Sequence, residues 1–244
     1  MKIQFIGVGS AFAIENYNSN AVLTFDNGGK MLIDAGSDLK RSLKESGISL
    51  DSISVVYISH LHADHVGGLE FLAFSTYFNK ARKNKIKLII HSSMVDTLWG
   101  MLKPGIGISD KVCELKDYFD VYSVDKTFIC NNCEFETVKT VHVSAGQDSM
   151  YSYGLFFNGT YITTDTQFRP DISTPYYLKS KNIFQDCETA KFKSGVHAHY
   201  DELVDLPGDI KKKMKLYHFQ DGEKKDCLAD GFSGWVKQNE EYQI

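Results

Sequence analysis

Six consecutive residues, His60-Leu61-His62-Ala63-Asp64-His65, set four metal-capable side chains directly behind the apolar run Ser54-Val55-Val56-Tyr57-Ile58-Ser59. If the backbone here is extended or in a tight loop, His60 and His62 point one way while Asp64 and His65 swing to the other side. One short segment can then supply ligands to two cations. Imidazole nitrogen and carboxylate oxygen suit zinc, and three or four protein ligands per ion leave room for water. Far downstream stand His142, Asp165 and His218, so five of the eight histidines and two aspartates fall in an order that a pair of metal ions would require.

Around this segment the pattern is that of an α/β chain. Ile3 to Gly7, Ala21 to Phe25 and Met31 to Asp34 read as short strands, with Asn27-Gly28-Gly29 as a hairpin turn. Helical spacing follows from Asp38 to Glu45 and ends at Gly47. Ser54 to Ser59 is a buried-strand pattern that delivers His60 at its C-terminal end, where ligands of open α/β sheets usually sit. Helices are expected over 67–78 and over 92–101, the second stopped by Lys103-Pro104-Gly105, with a strand over 87–91 between them. From Tyr118 to Asn158 the period switches to two, and Asn158-Gly159 turns the chain into Tyr161-Ile162-Thr163-Thr164-Asp165. Strands over 182–186 and 215–219 flank a helical stretch over 201–213 that Pro207-Gly208 breaks. Strands, then helix, then strand in each half suit two sheets packed face to face with helices outside, a four-layer αββα sandwich. Residues 1–244 read as one domain.

Composition narrows the partners. A net charge of -4 implies no basic surface large enough for a long polyanion, so tRNA is not an expected substrate. No apolar stretch is long enough to span a bilayer and the N-terminus reads as a strand, so a cytoplasmic protein is expected. Five scattered cysteines make no disulfide framework. Cys130-Asn131-Asn132-Cys133 has zinc-ligand spacing, but no second pair completes it, and Asn-Asn between two β-rich runs reads as a hairpin. Gly7-Val8-Gly9-Ser10 lacks the Lys and third Gly of nucleotide cradles and reads as a turn near the site. His91 reads as a core or loop histidine, and Lys211-Lys212-Lys213 as a solvated helix face.

At His60 to His65 and its downstream partners the chain resembles the metallo-β-lactamase superfamily of dinuclear metallohydrolases, over essentially its whole length. Leu32-Ile33-Asp34-Ala35-Gly36 resembles the first motif, the six-residue segment the second and His142 the third. Asp165 resembles the bridging carboxylate and His218 the last ligand. The resemblance implies one cation on His60, His62, His142 and Asp165 and another on Asp64, His65, Asp165 and His218, with Asp34 orienting histidines from behind. Two zinc ions are expected, with manganese as the alternative.

Within the superfamily, Phe5-Ile6-Gly7-Val8-Gly9-Ser10 and His197-Ala198-His199 resemble the phosphodiesterase branch of the tRNA 3′-processing ribonucleases. Where those ribonucleases carry a His-Glu pair, this chain has Phe184-Gln185-Asp186-Cys187-Glu188-Thr189, which leaves Asp186 and Glu188 both open as the outer carboxylate. Their long Gly- and Pro-rich arm is missing here; the chain has only four prolines. The small-substrate likeness is to the anti-Pycsar phosphodiesterases of phages and bacteria, which destroy cyclic mononucleotide signals and are commonly homodimers. That likeness implies hydrolysis of 3′,5′-cyclic mononucleotides. Asp64 would orient the attacking water, and His197, or failing it His199, would protonate the leaving ribose oxygen. Tyr151 and Tyr153 are candidates either to stack the base or to pack the core. The alternatives are tRNA 3′-end cleavage and sequestration of a nucleotide without turnover.

Overall fold

The computed structural model describes residues 1–107, 114–145 and 148–244; Cys113 lies outside them. In chain order the strands are β1 (Lys2–Phe5), β2 (Ala21–Thr24), β3 (Lys30–Ile33), β4 (Ile53–Ile58), β5 (Ile86–His91), β6 (Phe119–Val124), β7 (Thr127–Cys130), β8 (Cys133–Ala145), β9 (Asp148–Phe157), β10 (Thr160–Ile162), β11 (Asn182–Asp186), β12 (Met214–Tyr217), β13 (Gly234–Trp235) and β14 (Glu241–Gln243). The helices are α1 (Leu39–Glu45), α2 (Ala63–Val66), α3 (Leu69–Tyr77), α4 (Val95–Ile106), α5 (Leu115–Tyr118), α6 (Pro170–Lys179), α7 (Tyr200–Leu203) and α8 (Gly208–Lys211). Among the described residues the strands make two seven-stranded sheets, ordered β14-β1-β2-β3-β4-β5-β6 and β13-β12-β11-β10-β9-β8-β7. In each, an antiparallel portion passes into a parallel one: β3-β4-β5-β6 in the first, β10-β11-β12-β13 in the second.

The period of two sorts side chains into layers. In β4, Val55 and Tyr57 join the core between the sheets, while Val56 and Ile58 turn to the opposite face and pack with Leu39, Leu69, Leu72 and Leu98 from α1, α3 and α4. In β11, Phe184 faces the central core and Ile183 faces the outer cluster that holds Tyr177 of α6 and Leu203 of α7. Rings fill the centre: Phe128 stacks on Phe135 at 4.9 Å, and Phe5 lies 5.1 Å from Phe184 across the two sheets. Three apolar layers between four structural ones make the expected αββα sandwich.

Several local readings change. Helix α4 runs through Lys103-Pro104-Gly105 to Ile106 rather than stopping there. Pro104 falls in the last turn, and Gly107 N closes that turn on Lys103 O at 2.8 Å. The broken helix over 201–213 is the two short helices α7 and α8. Lys211 and Lys213 fold back onto the Val204, Tyr177 and Ser180 carbonyls, so of the three lysines only Lys212 stands exposed. Helix α6 has no sign in the pattern, because Pro170 and Pro175 read as breakers; Pro170 occupies the first turn, where no N–H is needed. The Cys130–Cys133 hairpin forms as expected, with Asn131 and Asn132 at φ 49 and 61. Among the described residues no helix is long and apolar enough to cross a membrane.

Candidate metal centre

The ligand-bearing ends of both sheets meet at one point. His60 follows β4, His62 caps α2, and Asp64 and His65 lie within that helix. Gly36 lets the Asp34 loop lie flat on this segment, since a Cβ there would meet Asp64 O at 2.2 Å. From the other sheet, Asp165 comes just after β10 and His218 just after β12. His142 sits where the β8–β9 register shifts between Val141 and Val143; this bulge re-aims its side chain.

The histidines arrive with their tautomers set. Ser59 Oγ donates to Asp34 Oδ2 at 2.8 Å, so the His60 Nδ1 that meets this hydroxyl at 3.0 Å must be the donor. His65 Nδ1 donates to Asp34 Oδ2 at 2.8 Å and His142 Nδ1 to Val196 O at 2.8 Å. Ser19 Oγ donates to Gly9 O and thereby accepts from His218 Nδ1 at 3.0 Å. Each of these four rings therefore presents a bare Nε2 lone pair to the centre. His62 instead turns Nδ1 inward, 3.2 Å from His60 Nε2 and 3.0 Å from His142 Nε2.

Lone pairs facing lone pairs do not hydrogen-bond, and a cation satisfies them all. Buried His65 Nε2, His218 Nε2 and Asp165 Oδ1 have no hydrogen-bond partner. Asp165 Oδ2 lies 3.7, 3.6, 3.2 and 3.2 Å from the Nε2 atoms of His60, His142, His65 and His218, which places one carboxylate between two ligand sets. Asp64 Oδ2 is 3.1 Å from His65 Nε2. His60, His62, His142 and Asp165 could hold one ion, and Asp64, His65, Asp165 and His218 another. The donor set therefore fits two divalent cations with shared carboxylate ligation.

The electrostatics agree. Burial, reinforced by neighbouring imidazoles, lowers His60 well below its ordinary pKa, and burial also lowers His62 and His142, so these rings are neutral. Burial would raise Asp165, but the His218 and His65 imidazoles outweigh it and hold the carboxyl well below the usual range. Asp64 shows the same contest and is held at about 2. Burial would lower His65, yet Asp165, Asp34 and Asp64 outweigh it and raise it well above its ordinary value, so with no cation bound a proton stands on Nε2 in the place a cation would take. Buried carboxylates so placed call for positive charge.

His197 and His199 part company. His197 Nδ1 donates to Asp186 Oδ2 at 3.0 Å, and its ring lies 4.9 Å from those of both His142 and His218. Burial pulls its pKa down, but the Asp186 carboxylate prevails and lifts it to about 9. His199 is not brought to the cluster: Nε2 donates to Ala190 O and Nδ1 accepts from Asp201 N, making it the N-cap of α7. His199 thus stands apart from the cluster that His197 adjoins. Of the two open carboxylates, Asp186 is the one at His197, whereas Glu188 accepts from Ser194 N.

Sequence reasoning missed Ser19 and Ser59, whose hydroxyls fix His218 and His60; single serines carry no pattern. Backbone strain marks the same place. Asp34, Thr164 and His218 hold φ of 61, 52 and 65, a region costly for any side chain and most of all for β-branched Thr164.

Two facing mixed sheets with flanking helices and a His/Asp cluster at their meeting ends are the metallo-β-lactamase fold. Solved structures share it: the metallo-β-lactamase fold protein YhfI from Bacillus subtilis superposes with a TM-score of 0.75 at 16% identity, covering 99% of this chain and 98% of that one. The short form of human tRNase Z does so with a TM-score of 0.66 at 17% identity, covering 90% and 93%. Over residues 1–242 the chain matches, and belongs to, the family described as Anti-Pycsar protein Apyc1. The Anti-Pycsar protein Apyc1 of Bacillus phage 010DV004 is 34% identical over 257 residues, covering 99% of this chain and 98% of the relative.

Proposed function

We propose that the chain is a two-metal phosphodiesterase that opens 3′,5′-cyclic mononucleotides to linear nucleotide monophosphates, acting in the cytoplasm as a homodimer against cyclic-nucleotide antiphage signalling. The observation that carries the reading is the set of four Nε2 lone pairs and one shared carboxylate aimed at a common centre, in a chain of the Anti-Pycsar family. His60, His62, His142 and Asp165 hold one zinc ion, and Asp64, His65, Asp165 and His218 the other. When bound, two such cations supply charge that stabilises the phosphoryl oxygens and lowers the pKa of water towards neutrality.

The chain's own residues do the rest. Asp64, ionised well below neutral pH, orients the attacking water and accepts its proton. Ser59, Asp34 and Ser19 hold the ligand rings so that little reorganisation accompanies the reaction. As the ring P–O bond breaks, the ribose oxygen leaves as a poor leaving group and takes a proton from His197, which Asp186 keeps charged. Glu188 and His199 hold the loop that carries His197: Glu188 N donates to Ala198 O and Tyr200 N to Glu188 O. Purified protein with about two zinc ions should linearise cyclic mononucleotides, read by product chromatography. Inactivity across a full panel of cyclic mononucleotides defeats the reading.

A further inference from the structure

Beside the ligand cluster opens a cleft of about 580 Å³, within the roughly 300–1,000 Å³ of small-molecule sites. Leu61, which stands between His60 and His62, and Val143, which follows His142, both line it, so the cleft adjoins the segments that carry the first ligand set. Met94, Met101 and Met150 form much of its wall together with Tyr151 and Tyr153, and among the described residues no charged side chain lines it. Both rings are fixed: Tyr153 stacks on His91 at 3.9 Å with 16° between planes, and Lys139 Nζ sits 3.7 Å from the Tyr151 centroid. The polar groups include the hydroxyls of Thr97 and Ser93; Ser93 Oγ is held 2.8 Å from His91 Nδ1 and lies 3.4 Å from Tyr153 Oη.

We infer that this cleft seats the nucleobase of the substrate while the cyclic phosphate lies at the ligand cluster, an inference that rests on the phosphodiesterase reading above. Among the described residues the cleft's lining offers a phosphate no charged side chain, and the nearby Lys139 ammonium is taken up by the Tyr151 ring. A flat, neutral, polarisable ring with polar edge atoms finds thioethers for its faces and hydroxyls that donate or accept for its edge. Tyr153 is buried and builds the wall, whereas Met101 and Met150 are 49% and 39% exposed and stand free to meet a ligand. Met101, Met150 and Thr97 thus determine affinity for the base rather than the rate of bond breaking.

Methionine methyl groups labelled with carbon-13 report the seat directly. The slowly cleaved phosphorothioate analogue of adenosine 3′,5′-cyclic phosphate should shift the methyls of Met94, Met101 and Met150 and leave those of Met31 and Met214, both fully buried in other packing, in place. Ribose 3′,5′-cyclic phosphorothioate, which has no base, should leave the cleft methyls unmoved. Silent cleft methyls under saturating nucleotide analogue, or equal shifts from both compounds, overturn the inference. Because this readout needs no turnover, shifted cleft methyls in a protein that opens no cyclic nucleotide would sink the phosphodiesterase reading and keep the seat; turnover with silent methyls would do the reverse. Thr97→Trp and Met101→Asp, both at exposed positions, should raise KM for cyclic nucleotides about ten-fold with kcat within about two-fold. An unchanged KM in both overturns the proposal.

Discussion

The two sheets deliver their ligands in different ways. The first gives four from one six-residue segment that runs from the end of β4 into α2, anchored by a single carboxylate: Asp34 accepts from Ser59 N, Ser59 Oγ and His65 Nδ1. The second gives His142 from a bulge in β8 and Asp165 and His218 from beyond the ends of β10 and β12, with His142 and His218 each held by its own contact. A shared anchor concentrates risk in one residue, and separate anchors spread it. The carboxylate of Asp165 joins the two arrangements.

Removing that joint should have the largest effect. Asp165→Ala strips a ligand from both sets, and turnover should fall by about 10³-fold or more, with metal content below two per chain by elemental analysis. Retention of two tightly held ions would break the picture of one bridging residue. Next comes His197→Gln, expected to cost about 10²-fold in kcat while leaving metal content intact. Its pKa of about 9 lies above the ordinary histidine value, so the charged acid is present at neutral pH and lost as pH rises through 9. Bound cations pull that value down, so the wild-type rate should show an alkaline limb at or below about pH 9 that the variant lacks. The same sign governs stability: the His197–Asp186 contribution is full below the unfolded value and fades as pH rises through the folded one.

The anchors themselves are compared by a smaller pair of effects. Asp34→Ala loosens His60 and His65 together and should weaken metal affinity about 10- to 100-fold in a chelator competition. Ser19→Ala releases only His218, so its loss should sit at or below about 10-fold on the same scale. Equal losses for the two would erase the difference between shared and separate anchoring.

How much of this was legible follows from the same contrast. The contiguous segment from His60 to His65 declares itself in any reading, because four metal-capable residues in six behind a buried strand are rare by chance. His142, Asp165 and His218 are single letters far apart in the chain and were legible through resemblance. The bulge that aims His142 and the left-handed turn at His218 leave no mark in composition. His197 and His199 share the spacing of His60 and His62, so residue type alone cannot separate them. The signal that does is Glu202, three residues past His199, whose carboxylate accepts from His199 N and completes a capping box. The sandwich itself was readable from the order of strands and helices in each half, whereas α6 hid behind two prolines.

The most direct test of the paired centre is anomalous diffraction at the zinc edge from crystals of the zinc-loaded protein. Two peaks roughly 3.5–4 Å apart, with Asp165 between them, are expected. A single peak, or peaks away from the converging Nε2 atoms of His60, His142, His65 and His218, would contradict it.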